Sequence, residues 1–133
     1  MEGTTQQFTF DAESASVTRA RHAVTGFARE HGVPAAVLGG LALAVSEACT
    51  NVVLHAYRDE EAPGRFTVGL AVSDASLRVL VRDDGIGMRP RMDSPGLGLG
   101  LPIIATTADS FAVAPCESGG TELHMRFDLS AAA

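Results

Sequence analysis

The sequence predicts an α+β fold: a two-layer sandwich of one mostly antiparallel sheet, about five strands wide, with its helices on a single face. Three observations carry this. Two segments before position 57 repeat apolar residues at helical spacing. Several others alternate apolar and polar residues, as strands with one wet face do. Short turns, Ser73 to Ser76 and Gly119-Gly120, join strand-like segments directly and so make them antiparallel neighbours.

The elements follow in order. Phe8 and Phe10 alternate with polar neighbours and predict a short edge strand. Ser14 or Ser16 is placed to cap a first helix with Val17, Ala20, Val24, Phe27 and Ala28 on its apolar side and Gly32 as its stop. A second helix is expected from 34 to about 57, with Pro34 in its first turn and Leu38, Leu41, Val45, Ala48 and Val52 facing inward. Gly39 and Gly40 weaken its start. Next, Phe66, Val68, Leu70 and Val72 alternate, the chain turns, and Leu77, Val79 and Val81 return as a hairpin. A glycine-rich loop over 83–100 leads to a helix opening near Leu101 and Pro102, then a strand at 111–114. In the final strand Thr121, Leu123, Met125, Phe127 and Leu129 alternate with Glu122, His124, Arg126 and Asp128.

Composition narrows the function. A chain of 133 residues fits one domain, 1–133, large enough to bury a core without disulfides or a structural metal. No apolar run approaches the roughly 18 uncharged residues of a membrane helix, so no membrane role is expected. The opening MEGTTQQFTF has neither a basic region nor an apolar core, which points to a cytoplasmic location. Cys49 and Cys116 lie far apart without a CxxC and read as core thiols; with four scattered histidines they make no metal spacing. A net charge of -6 and unclustered Lys and Arg argue against direct nucleic-acid binding.

Three features carry chemistry. Glu47 and Asn51 are four apart on the second helix and project from one side amid apolar residues. Burying either without a partner costs several kcal/mol, so they form a satisfied core pair or line a wet site. Asp83-Asp84-Gly85-Ile86-Gly87 follows a strand directly; it suits an ordinary turn and equally a backbone that lets a ligand approach. Gly96, Gly98 and Gly100 precede a helix start, where free amides and the helix dipole favour phosphate. No Gly-Lys-Ser/Thr follows them and the βαβ context is missing, which excludes a P-loop and a dinucleotide fingerprint.

Taken together and in this order, these features resemble a known family. The run Val45-Ser46-Glu47-Ala48-Cys49-Thr50-Asn51-Val52-Val53-Leu54-His55-Ala56-Tyr57 is similar to the N box of the GHKL-superfamily ATPases, and most similar to that of the anti-sigma-factor serine/threonine kinases (RsbW/SpoIIAB-like). Asp83, Gly85 and Gly87 resemble the first glycine box; Gly98, Leu99, Gly100 and Leu101 the second; Gly120-Thr121 the last. The match runs from about Phe8 to Leu129.

The resemblance implies a Bergerat-type ATP-binding fold with ATP and Mg2+ as cofactors. It makes Asn51 the Mg2+ ligand, Glu47 the general base or water-holder and Asp83 the partner of the adenine amino group. Gly85, Gly87 and Thr121 would line the nucleotide, with Gly98, Leu99, Gly100 and Leu101 at the phosphates. As partners it implies a sigma factor and a STAS-type anti-anti-sigma protein, phosphorylated so that sigma stays sequestered, and it leaves room for a homodimer. One departure stands out: residues 88–95, including Arg89 and Arg91, are few where many relatives carry a longer lid. That favours a rival reading, a nucleotide-dependent adaptor without phosphotransfer. A stand-alone histidine-kinase-like catalytic domain is the second rival and would need a separate phosphoacceptor.

Overall fold

The computed structural model describes residues 3–56, 64–83, 103–116 and 120–129. Its elements are β1 (Thr4–Asp11), α1 (Ser14–Glu30), α2 (Ala35–Asn51), a π-helical turn (Val52–Ala56), β2 (Arg65–Val72), β3 (Ser76–Asp83), β4 (Ser110–Pro115) and β5 (Thr121–Asp128). Residues 103–107 are also helical. The strands form one sheet in the order β1-β2-β3-β5-β4, every neighbour antiparallel. The expected sandwich is therefore the observed one, and β1 lies at an edge as expected; it is not short, however, because all eight of its residues pair with β2.

Alternation decides which side of the sheet is dry. Phe66, Val68, Leu70 and Val72 on β2 stand in register with Asp83, Val81, Val79 and Leu77 on β3, and these with Thr121, Leu123, Met125 and Phe127 on β5. All twelve are buried. Helix α1 covers β1 and β2, α2 covers β5, and the helices pack on each other. The buried sides of α1 (Ala20, Val24, Phe27, Ala28) and α2 (Leu41, Ala44, Val45, Ala48, Cys49) close the core. One expectation is corrected: residues 35–54 are long and apolar enough by composition to cross a membrane, since Glu47 is the one charged residue among them. The apolar side of the helix, however, is spent on α1 and the sheet.

Helix ends differ in part from expectation. Neither serine caps α1: Glu13 occupies the N-cap position without a side-chain cap bond, Ser14 is already helical and Ser16 is buried. The C-terminus behaves as expected, because Gly32 adopts φ 80°. Val33 N–H donates to the Ala28 carbonyl at 2.9 Å and Gly32 N–H to that of Arg29 at 3.3 Å, a Schellman closure that only a left-handed residue permits. Pro34 sits at the N-cap of α2, one position before the first turn assigned to it, with φ -59°. The expectation of one helix to about 57 is also revised: α geometry ends at Asn51 and the next five residues form the π-turn. The β-branched pair Val52-Val53 stands where it gives way, and such side chains crowd the preceding α-turn.

Only one of the two cysteines is a core thiol. Cys49 is buried, whereas Cys116 is half-buried, because it directly follows β4, the strand at the edge of the sheet, where no further strand covers it among the described residues. Its N–H donates to the Gly120 carbonyl at 2.8 Å.

Candidate functional site

Asp83 belongs to the last pair of the β3 ladder rather than to a turn. Counting by twos from Leu77, Val79 and Val81 brings it to the helix-covered face, where it is fully buried between its register partners Phe66 and Thr121. A carboxylate in an apolar row is costly unless polar groups meet it. Asp83 and Thr121 each make a further interaction within the fold. Phe66, whose ring centroid lies 5.6 Å from that of Phe10, forms an apolar wall on one side of Asp83. The arrangement offers an acceptor and a hydroxyl side by side at a strand end, next to a flat hydrophobic surface.

Glu47 and Asn51 come from the other layer. Their spacing puts them one turn apart on α2, about 6 Å along the axis. Asn51 is buried, Glu47 half-buried. Asn51 is a buried amide at a position where α2 could have placed an alanine at no cost in helix propensity. Asn51 is also the last α-helical residue before the π-turn. Such turns are frequent at functional sites, because the extra residue rotates the side chains that follow.

The structure thus brings the described candidates together as two pairs, Asp83 with Thr121 and Glu47 with Asn51. Gly85, Gly87, Gly98, Leu99, Gly100 and Leu101 lie outside the described residues, as do Arg89, Arg91 and the side chain of His55.

Three features were not singled out from the sequence. Ser46 Oγ, beside Glu47, is enclosed and has no hydrogen-bond partner among the described residues. Leu43 and Leu54 are 46% and 58% exposed, and they flank Glu47 along α2 and its π-turn. Their spacing from Glu47, four before and seven after, was the signal that would have found them.

Among the described residues no three His, Cys, Asp or Glu side chains converge. The amide oxygen of Asn51 instead suits a hard cation such as Mg2+, which takes one or two protein groups and completes its shell with water and phosphate oxygens.

The chain belongs to the histidine kinase-like ATPase domain family, whose model matches residues 10–127. This is an ATP-binding family of the GHKL type. Within it the chain is similar to curated anti-sigma F factors: that of Clostridium novyi (strain NT) at 29% identity over 140 aligned positions, covering 97% of both chains; that of Clostridium acetobutylicum at 30% over 128, covering 88% of both; and that of Bacillus thuringiensis (strain Al Hakam) at 28%, covering 91% of this chain and 90% of the relative.

Among solved structures, the RsbU and RsbW domains of Rv1364c from Mycobacterium tuberculosis superpose with a TM-score of 0.72 at 19% identity. The superposition covers 95% of this chain and 32% of that one, so it speaks for the fold alone. The histidine kinase domain from the Erythrobacter litoralis EL346 blue-light activated histidine kinase gives 0.57 at 27% identity, covering 87% and 60%.

Proposed function

We propose that the protein is an ATP-dependent protein serine/threonine kinase of the anti-sigma type, acting in the cytoplasm on a small STAS-type anti-anti-sigma protein and sequestering a sigma factor. The observation that carries this reading is the buried Asp83 beside Thr121 at the strand end, in a chain whose curated relatives are named anti-sigma F factors. Asp83 would accept a hydrogen bond from the adenine amino group, with Thr121 supporting the same edge and Phe66 walling the base. Asn51 would hold Mg2+, which when bound neutralises charge on the phosphates.

Glu47 is the base. It would take the proton of a serine or threonine hydroxyl as that oxygen bonds to the γ-phosphorus and the bond to the ADP oxygen breaks. Exposed Leu43 and Leu54 on either side of it supply an apolar landing surface, which a protein substrate needs and free water does not. The phosphate-loop glycines would donate backbone amides to the transferring group.

Radiolabelled transfer from ATP to candidate antagonist proteins tests the proposal, with sigma-factor pull-down in parallel. The parent is expected to label a serine or threonine on one antagonist, and Glu47→Gln to bind nucleotide but transfer at least about a hundredfold more slowly. No labelling of any antagonist by a parent that binds ATP and retains sigma would instead make the protein an adaptor.

A further inference from the structure

The sheet face turned away from the helices carries a groove of about 870 Å³. Its floor is one register row in which Gly69 of β2, Leu80 of β3 and Ala112 of β4 lie with His124 of β5. The row beside it sets Arg78 directly opposite Arg126.

Gly69 has no local reason to be glycine. Its φ is not positive, and a Cβ built on it would meet Leu80 Cβ at 3.8 Å and Gln7 Cγ at 3.9 Å, ordinary contact distances. A strand interior loses packing and β propensity with glycine, and such a residue often marks close approach of another backbone. Here the absent side chain deepens the groove.

The arginine pair points the same way. Like charges directly opposite on one face are destabilising. Arg126 Nε donates to Asp128 Oδ1 at 3.0 Å, and His124 contacts Glu122 at 3.3 Å, but among the described residues no carboxylate lies within salt-bridge distance of Arg78. Among the described residues that line the groove none is acidic; Glu122 and Asp128 stand at its margin beside His124 and Arg126 and leave Arg78 as the uncompensated charge, although the chain as a whole carries a net charge of -6. The lining runs from β1 to β4, across all five strands. Four interstrand spacings make about 19 Å, the length of roughly six extended residues and far more than a single phosphate occupies.

We propose that this groove docks an extended acidic segment of a partner protein, its backbone over Gly69 and two of its carboxylates on Arg78 and Arg126. The site lies on the face opposite Asp83 and does not depend on the kinase reading.

Fluorescence anisotropy with a labelled octapeptide alternating glutamate and valine tests it, with the glutamine counterpart as control and ATP binding measured in parallel. The glutamate peptide should bind saturably and weaken as salt rises, and the glutamine peptide should bind at least about tenfold more weakly. Arg78→Gln should cost about tenfold. Gly69→Val should abolish binding while thermal stability holds or rises. Should Gly69→Val not fold, Arg78→Gln and the peptide pair decide alone. Equal binding of the two peptides, or no saturable binding of either, overturns the proposal. So does undiminished binding by the variants, or a parent dimer in sedimentation that Arg78→Gln dissociates, which would make the face an interface between copies.

Discussion

Asp83 and Thr121 face each other across the β3–β5 ladder, both buried on the sheet side that carries the helices. That relationship separates two meanings of one pentapeptide. An Asp-Gly turn would expose its carboxylate, whereas a ladder residue in an apolar row is held in place and aimed.

If Asp83 meets the base as proposed, the consequence is base selectivity. Adenine offers an amino donor to the Asp83 carboxylate where guanine offers a carbonyl, and two acceptors repel. GTP should bind poorly, and Asp83→Asn, nearly identical in shape, should weaken ATP by roughly 1 to 3 kcal/mol while GTP loses less. Competition binding of both nucleotides to parent and variant measures this. An unchanged ATP-to-GTP ratio removes Asp83 from the base pocket.

Asn51→Ala keeps helix propensity and deletes the amide oxygen. It should remove most of the Mg-dependent part of ATP affinity, about tenfold or more, and leave the Mg-free part intact. Calorimetry with and without Mg2+ decides, with circular dichroism to check that the helix persists. Parent-like affinity for Mg-ATP would place the metal elsewhere.

Leu43 is 46% exposed on the side of α2 that carries Glu47. If the phosphoacceptor is a folded protein docked there, Leu43→Asp should raise KM for the antagonist by about tenfold through lost apolar contact. KM for ATP should stay unchanged. Equal KM for the antagonist would mean that the acceptor approaches from another side.

Cys49 yields a pH dependence. Burial pushes its thiol from 9.0 up to about 12. In the unfolded chain the thiol ionises near its ordinary value while the folded one keeps its proton. Between those two values the unfolded state binds fewer protons, and stability falls with rising pH by at most about 1.4 kcal/mol per unit. Urea denaturation of the parent and of Cys49→Ala across that window should show a steeper decline in the parent. At about pH 8 a thiol reagent should label Cys116 well before Cys49. Equal labelling rates would contradict the burial.

Much of the fold was legible because its signals are local. Alternation in 66–72 and 121–129, helical spacing in α1, and Gly32 as a stop each depend on residues a few positions apart. Burial of one side of a period is then forced by hydrophobicity. Glu47 and Asn51 were legible as a pair for the same reason.

Other features were decided only by tertiary structure. Ser14 and Ser16 were equally good caps on paper, yet the chain entering from β1 put Glu13 at the helix start and turned Ser16 inward. That Asp83 is a buried ladder residue depends on Phe66 and Thr121, which arrive from 17 positions before and 38 after it through strand register. The facing of Arg78 and Arg126 has the same origin. By itself the sequence determined periods, turns and the chemistry available. Register and the choice of face came from closing one shared core, because shifting a strand by a single residue would exchange its whole buried side for its wet one.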